Sequence, residues 1–208
     1  MWSLWVLRPI SYYVAWLFIK LGISANQTTI IGGVIGIAGC VLLAFGSYPM
    51  IIIGVSLFAL YSLSDCVDGA IARVTKTTSN YGHFLDMIIG YTIYGLLPLS
   101  VSICLYLKTD IWLYLILGGI YVFGKYLGII VTLAYDKSFS SSLQTIIENR
   151  LARWGVRIIL LEVPTLIICA ALNRLEIFLG LFTLLFVCKT IIILFIMLIR
   201  EKPNGRKG

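Results

Sequence analysis

From Thr28 to Gly46 the chain carries no acidic or basic side chain, and apolar runs of similar length recur along it, separated by short polar breaks. This pattern constrains the fold more than any other feature. A segment of roughly 20 apolar residues is long enough to cross the hydrocarbon core of a bilayer as a helix. In lipid the backbone must satisfy its own hydrogen bonds, which restricts spanning structures to helices and closed barrels. With 60% hydrophobic and only 12% charged residues, the chain has too few ionic groups to build a water-facing surface. Soluble, disordered, coiled-coil and disulfide-scaffold classes are excluded on the same grounds. The five cysteines are scattered in apolar stretches with neither disulfide nor metal spacing. The expected fold class is therefore all-α, a polytopic membrane protein.

The breaks set the organisation. Residues 1–22 mix Trp2, Trp5, Tyr12, Tyr13 and Trp16 with Arg8, Pro9 and Lys20, which suits an amphipathic helix lying in the membrane interface. Spans are expected over 28–46, about 50–73, about 80–107, about 111–135, a segment ending near Leu172, and 175–199. Six spans within 28–199, preceded by the interfacial helix, form one membrane domain over residues 1–208. In the first span Gly32, Gly36 and Cys40 recur at four-residue steps, a stripe on which another helix can pack closely.

Sidedness follows from the cations. A cytoplasmic amino terminus puts Arg8, Lys20, Arg73, Lys76, Lys137, Arg150, Arg153, Arg157, Arg200, Lys202, Arg206 and Lys207 on or near the cytoplasmic side, and only Lys108 and Arg174 on the other. Twelve against two is a strong positive-inside bias and predicts that both termini are cytoplasmic. The net charge of +7 is accounted for by topology and anionic lipid, so no nucleic acid is implied as a partner.

Three carboxylates stand where spans should be apolar. An ionised group at mid-bilayer costs on the order of 3 kcal/mol, so Asp65, Asp68 and Asp86 imply a function or a compensating cation. Asp65 and Asp68 share a helix face at i, i+3. Asp68 lies about 7.5 Å inward from Arg73, and Asp86 about 9 Å inward from Asn80, so a hairpin closed by Val74 to Ser79 brings the acids to similar depth. Oxygen ligands without an adjacent base suit a hard divalent cation, Mg²⁺ or Mn²⁺; pairing with Lys125 or Lys189 is the structural alternative.

Written out, Asp65-x2-Asp68-Gly69-x2-Ala72-Arg73-x8-Gly82-x3-Asp86 resembles the signature of the CDP-alcohol phosphotransferases, D-x2-D-G-x2-A-R-x8-G-x3-D-x3-D, at every fixed position but the last. Ser24-Ala25-Asn26-Gln27-Thr28-Thr29 is similar to the family's S-P-N-x-x-T entry to the first span, with Ala25 in place of proline. The strong resemblance covers residues 65–90. It implies transfer of a substituted phosphate from a CDP-linked donor, such as CDP-diacylglycerol, to a small polar alcohol with release of CMP. Asp65, Asp68, Gly69, Ala72 and Arg73 are then the nucleotide-binding residues, with metal on Asp65, Asp68 and Asp86. The small side chains allow close approach of the nucleotide, and the Arg73 fork suits phosphate.

The family's last aspartate, a metal ligand and presumed base, is here Gly90. His83, the only histidine, is the candidate substitute base. Arg150, Arg153 and Arg157 lie on one helix face; Arg153 and Arg157, with Lys125, are candidates for a lipid or acceptor phosphate, and topology explains the arginines equally well. Glu162 has Arg157 and Lys189 as candidate partners, in a structural role. Two readings of function stay open: an enzyme made slow by Gly90, or a homologue that binds CDP-lipid without turnover or partners an active paralogue. A homodimer is compatible with either. A transporter using the carboxylates as an ion path is disfavoured, because they cluster near one face and no inverted repeat is evident.

Overall fold

The computed structural model describes residues 8–138, 158 and 161–200. The described elements are helices: α1 Arg8–Lys20, α2 Ala25–Ala44, α3 Tyr48–Val74, α4 Asn80–Thr109, α5 Leu113–Ser138, α6 Leu161–Ala171 and α7 Leu175–Arg200. Five of them, α2 to α5 and α7, are long and apolar enough to cross a membrane. The expected fifth span corresponds to α6, which is shorter; much of the chain before it, including Arg150, Arg153 and Arg157, lies outside the described residues. Helix α1, at 13 residues, rises only about 20 Å and falls short of a roughly 30 Å hydrocarbon core.

The distribution of side chains suits lipid. Val34 is 64% exposed, and Leu60, Phe123 and Leu184 also face outward, while Asp68, Lys125 and Glu162 are buried. Water would favour the reverse arrangement. The chain is an integral, multi-pass membrane protein.

Helix α2 packs along α3 and α4, α5 along α4 and α7, and α1 against α3. Close approach of α2 depends on its small residues. A Cβ on Gly36 would stand 2.9 Å from the Tyr61 ring and 2.7 Å from Ile93, and one on Gly39 would meet the Gly54 carbonyl at 2.8 Å. The stripe of Gly32, Gly36 and Cys40 is thus buried, as its spacing predicts. Ala15 of α1 seats against Val67, Ala70 and Ile71, which braces the carboxyl-terminal end of α3.

Candidate active site

Two helix starts and one helix end meet at the site. Ser24 caps α2 with a capping box: its Oγ accepts from the Gln27 amide at 3.3 Å, and Gln27 Oε1 accepts from the Ser24 amide at 2.8 Å. Ser79 caps α4, its Oγ accepting from the Gly82 amide at 3.0 Å. Between them α3 ends at Val74, and the chain reverses through a turn in which Lys76 takes a left-handed φ of 55°. These caps bring the start of α2, the end of α3 and the start of α4 around one cavity of about 180 Å³. Asn26, Thr29, Asp68, Gly69, Ala72, Arg73, Gly82, His83 and Asp86 line it. Thus the hairpin geometry read from the spacing holds, and Arg73 folds back so that its guanidinium lies over Gly69.

Asp65 does not line this cavity. It faces a second one of about 220 Å³, more apolar, together with Asp86, Met87, Gly90, Tyr94, Lys125 and Tyr126. Asp86 borders both. The Asp65 and Asp86 side chains lie within hydrogen-bonding reach of each other, and two carboxylates that close repel unless a proton or a cation stands between them. Their oxygen-only chemistry fits a hard divalent ion. Asp68 is turned elsewhere: Oδ2 accepts from the Thr29 hydroxyl at 2.6 Å, and Oδ1 from the Gly69 amide at 2.6 Å. Among the described residues no three His, Cys, Asp or Glu side chains converge into a closed cage. The three acids thus form a close pair plus an anchored neighbour.

Thr29 and Asn26 are site residues that carboxylate spacing does not find. Their signal is the short motif at the entry to α2, which places a hydroxyl one turn inside the helix, where it meets Asp68 across 39 positions of sequence. His83 and Gly90 line different cavities, with Asp86 between. His83 is exposed on the first turn of α4.

Lys125 is buried, and its ammonium is held by Glu162 at 2.7 and 2.9 Å, with the Tyr94 carbonyl accepting at 3.4 Å. Tyr121 donates to the same carboxylate at 3.0 Å. Among the described residues the ion-pair partner of Glu162 is therefore Lys125 and not the expected Lys189, while Arg157 lies outside them. The Lys125 charge is compensated at the edge of the second cavity. Tyr121→Phe removes one charge-assisted bond from this buried pair. It should lower stability by about 1.5–3 kcal/mol, measured as a fall in detergent-solubilised Tm. An unchanged Tm would show that Glu162 does not rely on the phenol.

One further polar atom stands out. The Tyr61 hydroxyl is buried and has no hydrogen-bond partner among the described residues. A buried hydroxyl left so costs about 1–3 kcal/mol. It lies 3.7 Å from the position of a Cβ on Gly90, an ordinary contact distance.

The model of the CDP-alcohol phosphatidyltransferase family matches residues 22–149, which include both caps and every signature residue. Among solved structures, the phosphatidylinositol phosphate synthase of Mycobacterium tuberculosis, crystallised with manganese and citrate, is similar at a TM-score of 0.65. The alignment covers 95% of this chain and 93% of that one, at 16% identity, so the likeness is one of fold. No curated protein matches the sequence. The match spans more than half of the chain and the cavities carry its residues: this protein belongs to the CDP-alcohol phosphatidyltransferase family, transferases of phospholipid synthesis.

Proposed function

We propose that the protein transfers the phosphatidyl group of CDP-diacylglycerol to a small polar alcohol and releases CMP. The observation that carries this reading is Asp86 standing between two cavities, one lined by the polar signature residues and one by Asp65, Gly90 and Lys125. The nucleotide lies in the first, against Gly69, Ala72 and Gly82, with Arg73 toward its phosphates. The alcohol enters the second. Its oxygen bonds to the phosphatidyl phosphorus, the bond from that phosphorus to the bridging oxygen breaks, and the electron pair leaves with CMP. The alcohol's proton passes to Asp65 or Asp86, the carboxylates that border the second cavity. Asp65 and Asp86, with Asp68 nearby on Thr29, would hold a divalent cation, and such an ion would neutralise charge on the leaving group. Manganese in the solved relative supports that class of ion without choosing between Mg²⁺ and Mn²⁺. The cation count supports a cytoplasmic position for this end of the bundle and for both termini.

The experiment is CMP release by purified protein with CDP-diacylglycerol and Mg²⁺ or Mn²⁺, over serine, glycerol 3-phosphate and inositol phosphate. Alcohol-dependent release supports transfer. Gly90 favours a second reading, because glycine supplies neither oxygen nor proton acceptor where the family signature has a carboxylate. Nucleotide binding with no release under any condition would select that non-catalytic reading.

A further inference from the structure

We infer that the Tyr61 hydroxyl is the hydrogen-bond donor that holds the oxygen of the attacking alcohol, an inference that rests on the transfer reading. Tyr61 is 2% exposed, and its hydroxyl has no partner among the described residues. The ring does not turn freely to find one. Gly36 of α2 admits it from one side with no room for a Cβ, and Phe58 and Tyr94 stand against it at ring separations of 5.8 and 5.9 Å. So fixed, the hydroxyl points at Gly90. Among the described residues, setting aside the two chain neighbours and the local α4 backbone, it is the only atom within 4 Å of a Cβ position there. Gly90 in turn lines the second cavity beside Asp65 and Asp86.

The chemistry selects the ligand. A phenol donates readily and is a poor base near neutral pH. An alcohol hydroxyl suits a donor with carboxylates beside it: its oxygen accepts from the phenol while its own proton is turned toward a carboxylate. Tyr61 supplies orientation, and a carboxylate takes the proton. Tyr61 itself does not line the second cavity; Gly90 does. With no side chain there, only the glycine separates the hydroxyl from the cavity, so a methyl at position 90 would cover it.

Two variants test this with the full-length protein in detergent, using whichever of serine, glycerol 3-phosphate and inositol phosphate releases CMP fastest. Tyr61→Phe should raise the KM for that alcohol about tenfold, leave the KM for CDP-diacylglycerol within about twofold, and leave Tm equal or higher, since no intramolecular bond is lost. Gly90→Ala keeps Tyr61 but covers its hydroxyl with a methyl at contact distance, and should reproduce the rise in alcohol KM with no loss of Tm. An unchanged alcohol KM in either variant overturns the inference, as does a clear fall in the Tm of Tyr61→Phe. CMP release without any alcohol, reduced by Tyr61→Phe, would assign the held oxygen to water and also overturns it. Absence of CMP release from the unmodified protein is a different failure: it removes the transfer reading itself.

Discussion

Asp86→Asn should lower CMP release by at least about a hundredfold while leaving thermal stability equal or raised. The two effects have one physical source. Asp86 and Asp65 face each other within hydrogen-bonding reach, so neutralising one removes a repulsion in the unliganded protein. The same change removes a carboxylate oxygen from the one described residue that borders both cavities. Loss of one preorganised group that meets developing charge typically costs about 10²–10³ in kcat. Asp65→Asn should behave similarly, and Asp68→Asn more mildly in rate because the Gly69 amide still finds an acceptor there. Calorimetry separates a cation-mediated role from a direct one. CDP affinity of the unmodified protein should drop when EDTA is added, and that of Asp86→Asn should be low with or without it. Equal CDP affinity for the unmodified protein with and without EDTA would remove the cation from the account.

Gly90→Asp should raise CMP release by at least about tenfold, the low side of the roughly 10²–10⁴ contributed by a positioned base. The backbone accepts the change: position 90 is helical, and among the described residues beyond its own stretch of α4 the first added carbon meets only the Tyr61 hydroxyl, at 3.7 Å. The new carboxylate would extend into the second cavity, one turn from Asp86 on the same face. It could also accept from Tyr61, which gives the buried hydroxyl a partner and should raise Tm. Because that hydroxyl is then taken from the alcohol, the alcohol KM should rise as well, and the gain in CMP release is read at saturating alcohol, in kcat. His83→Ala is the matched control. Because His83 lines the first cavity and is separated from Gly90 by Asp86, the replacement should change the rate of Gly90→Asp by less than about threefold, far below the contribution of a base. Full turnover of the unmodified protein, abolished by His83→Ala and not improved by Gly90→Asp, would move the base to His83.

Much of the molecule is legible in the one-dimensional pattern. A chain this poor in charge has to close its backbone hydrogen bonds within segments, and apolar runs of spanning length leave the helix as the solution. The expected limits of the first three spans, 28–46, about 50–73 and about 80–107, differ by a few residues from Ala25–Ala44, Tyr48–Val74 and Asn80–Thr109. The offset at the start of the first span comes from capping, since Ser24 begins α2 ahead of the apolar stretch; α4, capped by Ser79, starts at Asn80 as expected. The carboxylate cluster was legible for a related reason. Three-residue spacing and a five-residue turn are local quantities, and an antiparallel hairpin converts them directly into depth.

Distances along the sequence of 30 residues and more are another matter. Helical periodicity says which residues share a face; it does not say how each helix is rotated against its neighbours. That rotation is settled by packing, here by Gly36 and Gly39 drawing α2 onto α3 and α4. It decides that Lys125 meets Glu162, 37 positions away, and that Thr29 claims Asp68. It divides the signature residues between two cavities, and it aims an unpartnered Tyr61 at Gly90. Local spacing determined the helices and the acid cluster, because backbone hydrogen bonding and helical rise act within a few residues. Tertiary structure alone decided which of those acids face each other, which are bonded away, and what stands opposite the glycine, because those contacts join residues that only packing brings together.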